Sequence, residues 1–260
     1  MVYSANLGYP RIGFKRELKV ALEKFWNNQI TEEELIAVGK ELRQLNWLFQ
    51  SSSNIDYIPS NDFSFYDHVL DTIAMVGAVP ERFDWEGGKV DLKTYFLMAR
   101  GLTTVANSNG QKKEAPAMEM TKWFNTNYHF IVPELEEGLK FRLSSTKFLD
   151  EFLEAKALGI TTRPVLLGPV SFLYLAKGHS FSEESKRLDS LLEVYCEALE
   201  LLRQNGADWV QMDEPCLSAD LNGRGADTFQ KAYQRLDKEK LSIMLTTYFA
   251  PLAKNLDMAL

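Results

Sequence analysis

The sequence predicts an α/β protein built on a parallel sheet, and two observations carry that expectation. From residue 163 onward, short β-like runs alternate with long helical patterns, and each proposed strand ends in polar or turn-forming residues. The length of 260 residues suits one large domain spanning 1–260, and about 250 residues is typical of a single (β/α)8 barrel. Functional groups collect at the C-terminal strand ends of such barrels, although an open doubly wound sheet would show a similar pattern.

After the turn-rich Gly8-Tyr9-Pro10, the residues Leu18, Leu22, Phe25 and Trp26 recur at helical spacing within 15–28. Thr31 and Glu34 then form a capping-box pattern ahead of Leu35, Val38, Leu42, Leu45 and Leu48, which predicts a second helix with one apolar face. Residues 55–59 read as a strand, Ser60-Asn61-Asp62 as its polar end, and Val69, Ile73 and Val76 as the following helix. Gly87-Gly88 marks a turn, 92–99 a helix, and 107–114 a mobile polar loop. Strands are expected over 163–167, 209–212 and 241–247, with helices over 183–204 and 226–236 between them. Leu188, Leu191, Leu192, Tyr195, Leu199 and Leu202 share one side of the longer helix, and Gly206 follows as a stop signal. No linker long enough to divide domains interrupts this series.

Composition narrows the function classes. With 45% hydrophobic and 25% charged residues the chain is an ordinary globular protein able to bury an extensive core. A formal charge of -7 argues against general nucleic-acid binding, which needs basic surfaces to neutralise phosphates, so an anionic ligand must meet a local basic cluster. The opening MVYSANLGYPRIG lacks a leader pattern and no run reaches the ~18 apolar residues of a membrane span, so a soluble protein is expected. Cys196 and Cys216 match neither a disulfide framework nor a CxxC metal knuckle, which suggests a reducing, cytoplasmic setting. There is no GxGxxG, no GxxxxGK[ST] and no GxSxG.

Three segments could carry chemistry. If a helix begins near Lys15, then Lys15 and Lys19 lie one turn apart with Arg16 beside Lys19, forming a basic edge at a helix end that already carries positive charge. An anionic ligand would compensate it, and a solvated helix face is the alternative. The span Glu119 to His129 mixes Trp123, Phe124 and Tyr128 with Asn125, Asn127 and Lys122, a combination suited either to a flat heterocycle or to core packing. Asp213 and Glu214 follow a strand, and alternation points them to opposite faces, which argues against a facing acid/base pair. Either could bind substrate, or Asp213 could cap the following helix. His68, His129, His179, Cys196 and Cys216 are scattered, and no complete zinc site is expected from them.

Taken together, LGYPRIGFKRELK, NDFSFYDHVL, EMTKWFNTNYHFIVPEL, RPVLLGPVSFL, DWVQMDEP and LTTYF closely resemble the N-terminal domain of cobalamin-independent methionine synthases across essentially the whole chain. The resemblance implies the N-terminal (β/α)8 barrel of a methyltransferase. That enzyme moves a methyl group from 5-methyltetrahydropteroyltri-L-glutamate to L-homocysteine, with zinc and no cobalamin. It also implies that the zinc ligands and the homocysteine site belong to a C-terminal barrel outside this sequence. The family's folate-binding positions carry over onto Arg16, Glu17, Leu18, Lys19 and Lys122. The first barrel of the family would continue past Leu260, so an incomplete barrel, inactive alone, is expected. A non-catalytic folate- or polyanion-binding module, or a fragment without function, is the alternative.

Overall fold

The computed structural model describes residues 2–106, 112–178, 184–221 and 223–259. Two helices open the chain, α1 (Glu17–Trp26) and α2 (Glu32–Ser52). The second starts with the expected capping box: Glu34 N–H donates to Thr31 Oγ1 at 3.3 Å, and Thr31 N–H to Glu34 Oε2 at 2.8 Å. Its buried face is only partly the one expected: Leu35 and Leu42 point inward and Val38 packs against the core, but Gly39, Trp47 and Gln50 join them, whereas Leu45 and Leu48 are 55% and 51% exposed. Trp47 decides this rotation, since its ring fills the core and its indole N–H donates to Pro59 O at 3.0 Å.

The central sheet holds β1 (Ile58–Ser60), β6 (Thr162–Leu167), β7 (Trp209–Asp213) and β8 (Ser242–Thr246), all parallel and in that spatial order. Between β1 and β6 lie α3 (His68–Val76), α4 (Leu92–Arg100), the antiparallel pair β2 (Leu102–Ala106) and β3 (Lys112–Ala115), the hairpin strands β4 (Met120–Lys122) and β5 (His129–Ile131), and α5 (Lys147–Ala157). After β6 come α6 (Pro169–Leu175) and α7 (Glu184–Gln204), then α8 (Gly223–Leu236) between β7 and β8, and α9 (Leu256–Ala259). The parallel α/β architecture is therefore present, but among the described residues the sheet is open with four strands and does not close into a barrel. Near its β1 edge, Ala5 forms an isolated parallel bridge with Tyr57.

Two further expectations need correcting. The loop expected over 107–114 falls partly on 107–111, outside the described residues, and Lys112–Ala115 is a strand paired with β2. Helices α5 and α6 were not anticipated; α5 packs against β1 and β6, and α6 starts at Pro169 directly after β6. The expected apolar side of α7 is buried from Leu188 to Leu202, with no member above 1% exposure.

Candidate functional site

The C-terminal ends of the four parallel strands enclose a cavity of about 360 Å3. Asn61 and Asp62 reach it from β1, Val165 to Leu167 from β6, Asp213 from β7, and Tyr248 from the segment after β8. This is where strand-end groups gather in α/β proteins, because the side chains there leave the packed sheet without losing its support. The N-terminal segment Leu7 to Arg11 covers one wall. It is pinned by Tyr9 N–H donating to Asp62 Oδ2 at 2.7 Å and by the Arg11 guanidinium donating to Ser64 O at 2.8 Å and Tyr66 O at 2.6 Å.

The charges of the cavity are partly or fully buried and mostly satisfied. Lys147 Nζ donates to Asn61 Oδ1 at 2.8 Å and Phe63 O at 2.6 Å, and faces Glu151 at 3.1 Å and Asp71 at 3.3 Å. Burial alone would lower the Lys147 pKa, but the carboxylates of Asp71 and Glu151 outweigh it and the net shift is upward. Asp71 also accepts from Ser64 Oγ and Tyr95 OH, each at 2.7 Å. Burial pushes Asp62 and Asp213 up to about 7. Asp213 is held by Gln211 Nε2 at 2.6 Å and Tyr248 OH at 3.4 Å. Burial lowers His68 to about 4, so its imidazole is neutral at pH 7 beside the Trp123 ring, 4.7 Å between centroids. Beyond Lys147 and Asp71 a second cavity, about 530 Å3, opens between α2, α4 and α5.

Asp213 and Glu214 do point apart, but the capping role falls to the other residue. Glu214 is fully buried and accepts from Val170 N–H at 3.1 Å and Ser171 N–H at 2.6 Å, capping the start of α6, and from Tyr233 OH at 3.0 Å. Gly168 is needed here, because a Cβ at that position would collide with the Glu214 carboxylate.

The basic edge is built differently from expectation. Helix α1 begins at Glu17, so Lys15 lies before it, and Arg16 is the exposed N-cap in the left-handed region at φ 64. Arg16 N–H donates to Gly13 O at 3.1 Å, and Glu17 Oε2 accepts from Lys15 N–H at 2.9 Å, which fixes the tight turn before the helix. Lys19 is exposed and pairs loosely with Glu23 at 3.6 Å. Leu18 is 0% exposed and belongs to the core, so it anchors the helix start that presents Arg16 and Lys19. Lys122 is exposed at the end of β4, opposite His129. In the Glu119 to His129 segment, Trp123 is a core residue, as is Phe130 just after it, whereas Phe124 is half-buried and Tyr128 is exposed at the cavity.

His179 lies outside the described residues. Cys196 is buried in α7 with its thiol pushed up to about 12 by burial, and Cys216 is buried with its thiol also shifted up. Among the described residues no three His, Cys, Asp or Glu side chains converge to hold a metal ion, so the residues present do not fit a zinc centre. No helix among them is long and apolar enough to cross a membrane.

Sequence reasoning found the strand-end groups Asn61, Asp62 and Asp213, whose positions after β-like runs were the signal. It missed Arg11 and Lys147. Arg11 is held by backbone carbonyls far along the chain, and Lys147 starts a helix that carried no clear sequence pattern.

The family model described as "Cobalamin-independent synthase, N-terminal domain" matches residues 3–260. A 5-methyltetrahydropteroyltriglutamate--homocysteine methyltransferase of Nitrobacter winogradskyi is 50% identical over 98% of this chain and 35% of its own length. Its namesake from Mesorhizobium japonicum is 52% identical over 98% of this chain and 34% of its own length. The chain thus spans about a third of the relatives it matches. Among solved structures, the putative vitamin-B12 independent methionine synthase of Listeria monocytogenes shares the fold at a TM-score of 0.59 and 13% identity, covering 98% of this chain and 67% of that one.

Proposed function

The chain belongs to the cobalamin-independent synthase N-terminal domain family, and from that premise we propose that it is the folate-side part of a methionine synthase. In this reading it helps to hold 5-methyltetrahydropteroyltri-L-glutamate, the methyl donor named by its relatives. Homocysteine and the zinc that would activate its thiol are handled by a C-terminal domain beyond these residues. This chain alone does not transfer the methyl group.

One observation carries the reading. The start of α1 holds Arg16, its N-cap, and Lys19, in its first turn, exposed in a protein of net charge -7, with Leu18 buried between them as an anchor. Cations at a helix N-terminus oppose the helix dipole and are favoured when an anion binds among them. The carboxylates of an oligoglutamate tail supply that anion through charge-assisted hydrogen bonds, with Lys122 as a further contact and Glu17 bracing the turn.

Calorimetric titration of the chain with the triglutamate form of methyl-folate, with metal content measured on the same sample, tests this. Saturable binding without stoichiometric zinc is expected. A folded chain that does not bind would sink the reading.

A further inference from the structure

Beside the strand-end cavity, three aromatic rings from distant parts of the chain form a stack. Phe124, in the β4–β5 turn, lies 5.2 Å from Phe249, which follows β8, with 26° between the ring planes. It also lies 6.4 Å from Tyr174 of α6, at 12°. Phe124 sits at φ 49 and Phe249 at φ 82, both in the left-handed region, where bulky side chains are rarely found. Such strain persists only where surrounding structure enforces it, and it concentrates at functional sites.

The enforcement is visible at the turn. Trp123 N–H donates to Tyr128 O at 2.7 Å, Thr126 N–H donates to Trp123 O at 3.1 Å, and Thr126 Oγ1 donates to the same oxygen at 2.7 Å. The Trp123 ring is buried and meets Phe124, Phe130 and Phe249 edge-on. The stack is therefore fixed in place, yet Tyr174 is 50% and Phe249 37% exposed. Rigid aromatic rings left open to solvent are poor core residues and good platforms for a flat ring.

We infer that the Tyr174–Phe124–Phe249 stack binds an aryl ring joined to a chain of carboxylates, namely the p-aminobenzoyl group of a folyl oligoglutamate. This rests on the oligoglutamate reading above and assigns the aromatic part of the same ligand to a second subsite. The connection is local: Phe124 and Lys122 belong to one hairpin, with Lys122 exposed two residues before the strained ring. A ligand whose carboxylate meets Lys122 thus carries its neighbouring ring toward the stack. The platform recognises shape and π-face, while the cations recognise charge.

The two parts separate in one experiment. The whole chain is titrated calorimetrically with p-aminobenzoyl-tri-L-glutamate and with tri-L-glutamate, as wild type, Tyr174→Leu and Phe124→Gly. Tyr174→Leu changes a half-exposed side chain, and Phe124→Gly removes the ring while relieving its positive φ; a thermal melt of each variant establishes that it is folded before titration. In the wild type the aryl compound should bind about tenfold more tightly than the plain peptide. That advantage should fall below about threefold in both variants, with tri-L-glutamate affinity unchanged. Equal wild-type affinities, or an advantage that survives both substitutions, overturn the platform and leave the oligoglutamate reading standing. Failure of both compounds to bind overturns both.

Discussion

The start of α1 and the strand-end cavity both concentrate charge, but they surround it differently. Arg16, Lys19 and Lys122 stand in solvent, where one ion pair at 3.6 Å contributes little. Lys147, by contrast, is largely enclosed by Asn61, Phe63 O, Asp71 and Glu151, each within 3.3 Å. A buried charge must be matched by the fold itself, whereas an exposed cation cluster stays available to a ligand. The difference separates charges that hold the protein together from charges that can recognise something else.

Removing a largely buried partner should give the largest effect. Lys147→Met takes away the cation bridging Asp71 and Glu151, leaving Asp71 with only hydroxyl donors and Glu151 with Arg43 at 3.6 Å, and unfolding free energy should drop by about 3–5 kcal/mol in urea denaturation. A loss under 1 kcal/mol would mean that the cavity's charges are solvated after all. Next, Glu214→Ala strips the cap from α6 and leaves two N–H groups and the Tyr233 hydroxyl unpaired, at a cost of about 3 kcal/mol.

Smaller effects depend on pH. Asp62 and Asp213 have folded pKa values raised to about 7 by burial, so the native state keeps protons that the unfolded chain releases near pH 4. Their contribution is complete below that lower value and is lost as pH rises through about 7. Asp213→Asn should therefore flatten the decline in stability between about pH 4 and pH 7, by on the order of 1 kcal/mol once partial solvent screening is allowed for. His68 works in the opposite sense, because its pKa is lowered to about 4 and its contribution is lost as pH falls through that value. Thermal melts across this pH range, with each residue replaced in turn, resolve the two slopes.

The basic edge should give the smallest change in stability. Lys19→Ala is expected to alter unfolding free energy by less than about 0.5 kcal/mol. The same substitution should weaken binding of triglutamyl methyl-folate about three- to tenfold, and that of the monoglutamate less. Equal losses for both ligands would break the distinction between the two regions.

What could be read in advance depended on locality. The capping box of α2, the apolar side of α7 and the alternation from β6 to β8 follow from spacing along the chain, and each was legible. The rotation of α2 was not, because Leu45 and Leu48 lose their place to Trp47 only once Pro59 O is available to its indole. The motifs around Arg16 and Lys122 were visible through family resemblance, while the start of α1 at Glu17 depends on a left-handed turn that spacing does not encode.

The sequence by itself determined the family, the parallel α/β plan and the candidate basic residues, since these rest on residue order and on periodicities of one helix or strand. Only the tertiary structure decided that Glu214 caps α6 while Asp213 faces the cavity, that Lys147 bridges Asp71 and Glu151, and that Phe124 meets Tyr174 and Phe249. Most of those partners lie tens of residues apart, and their interactions arise only when burial brings polar groups where water cannot satisfy them.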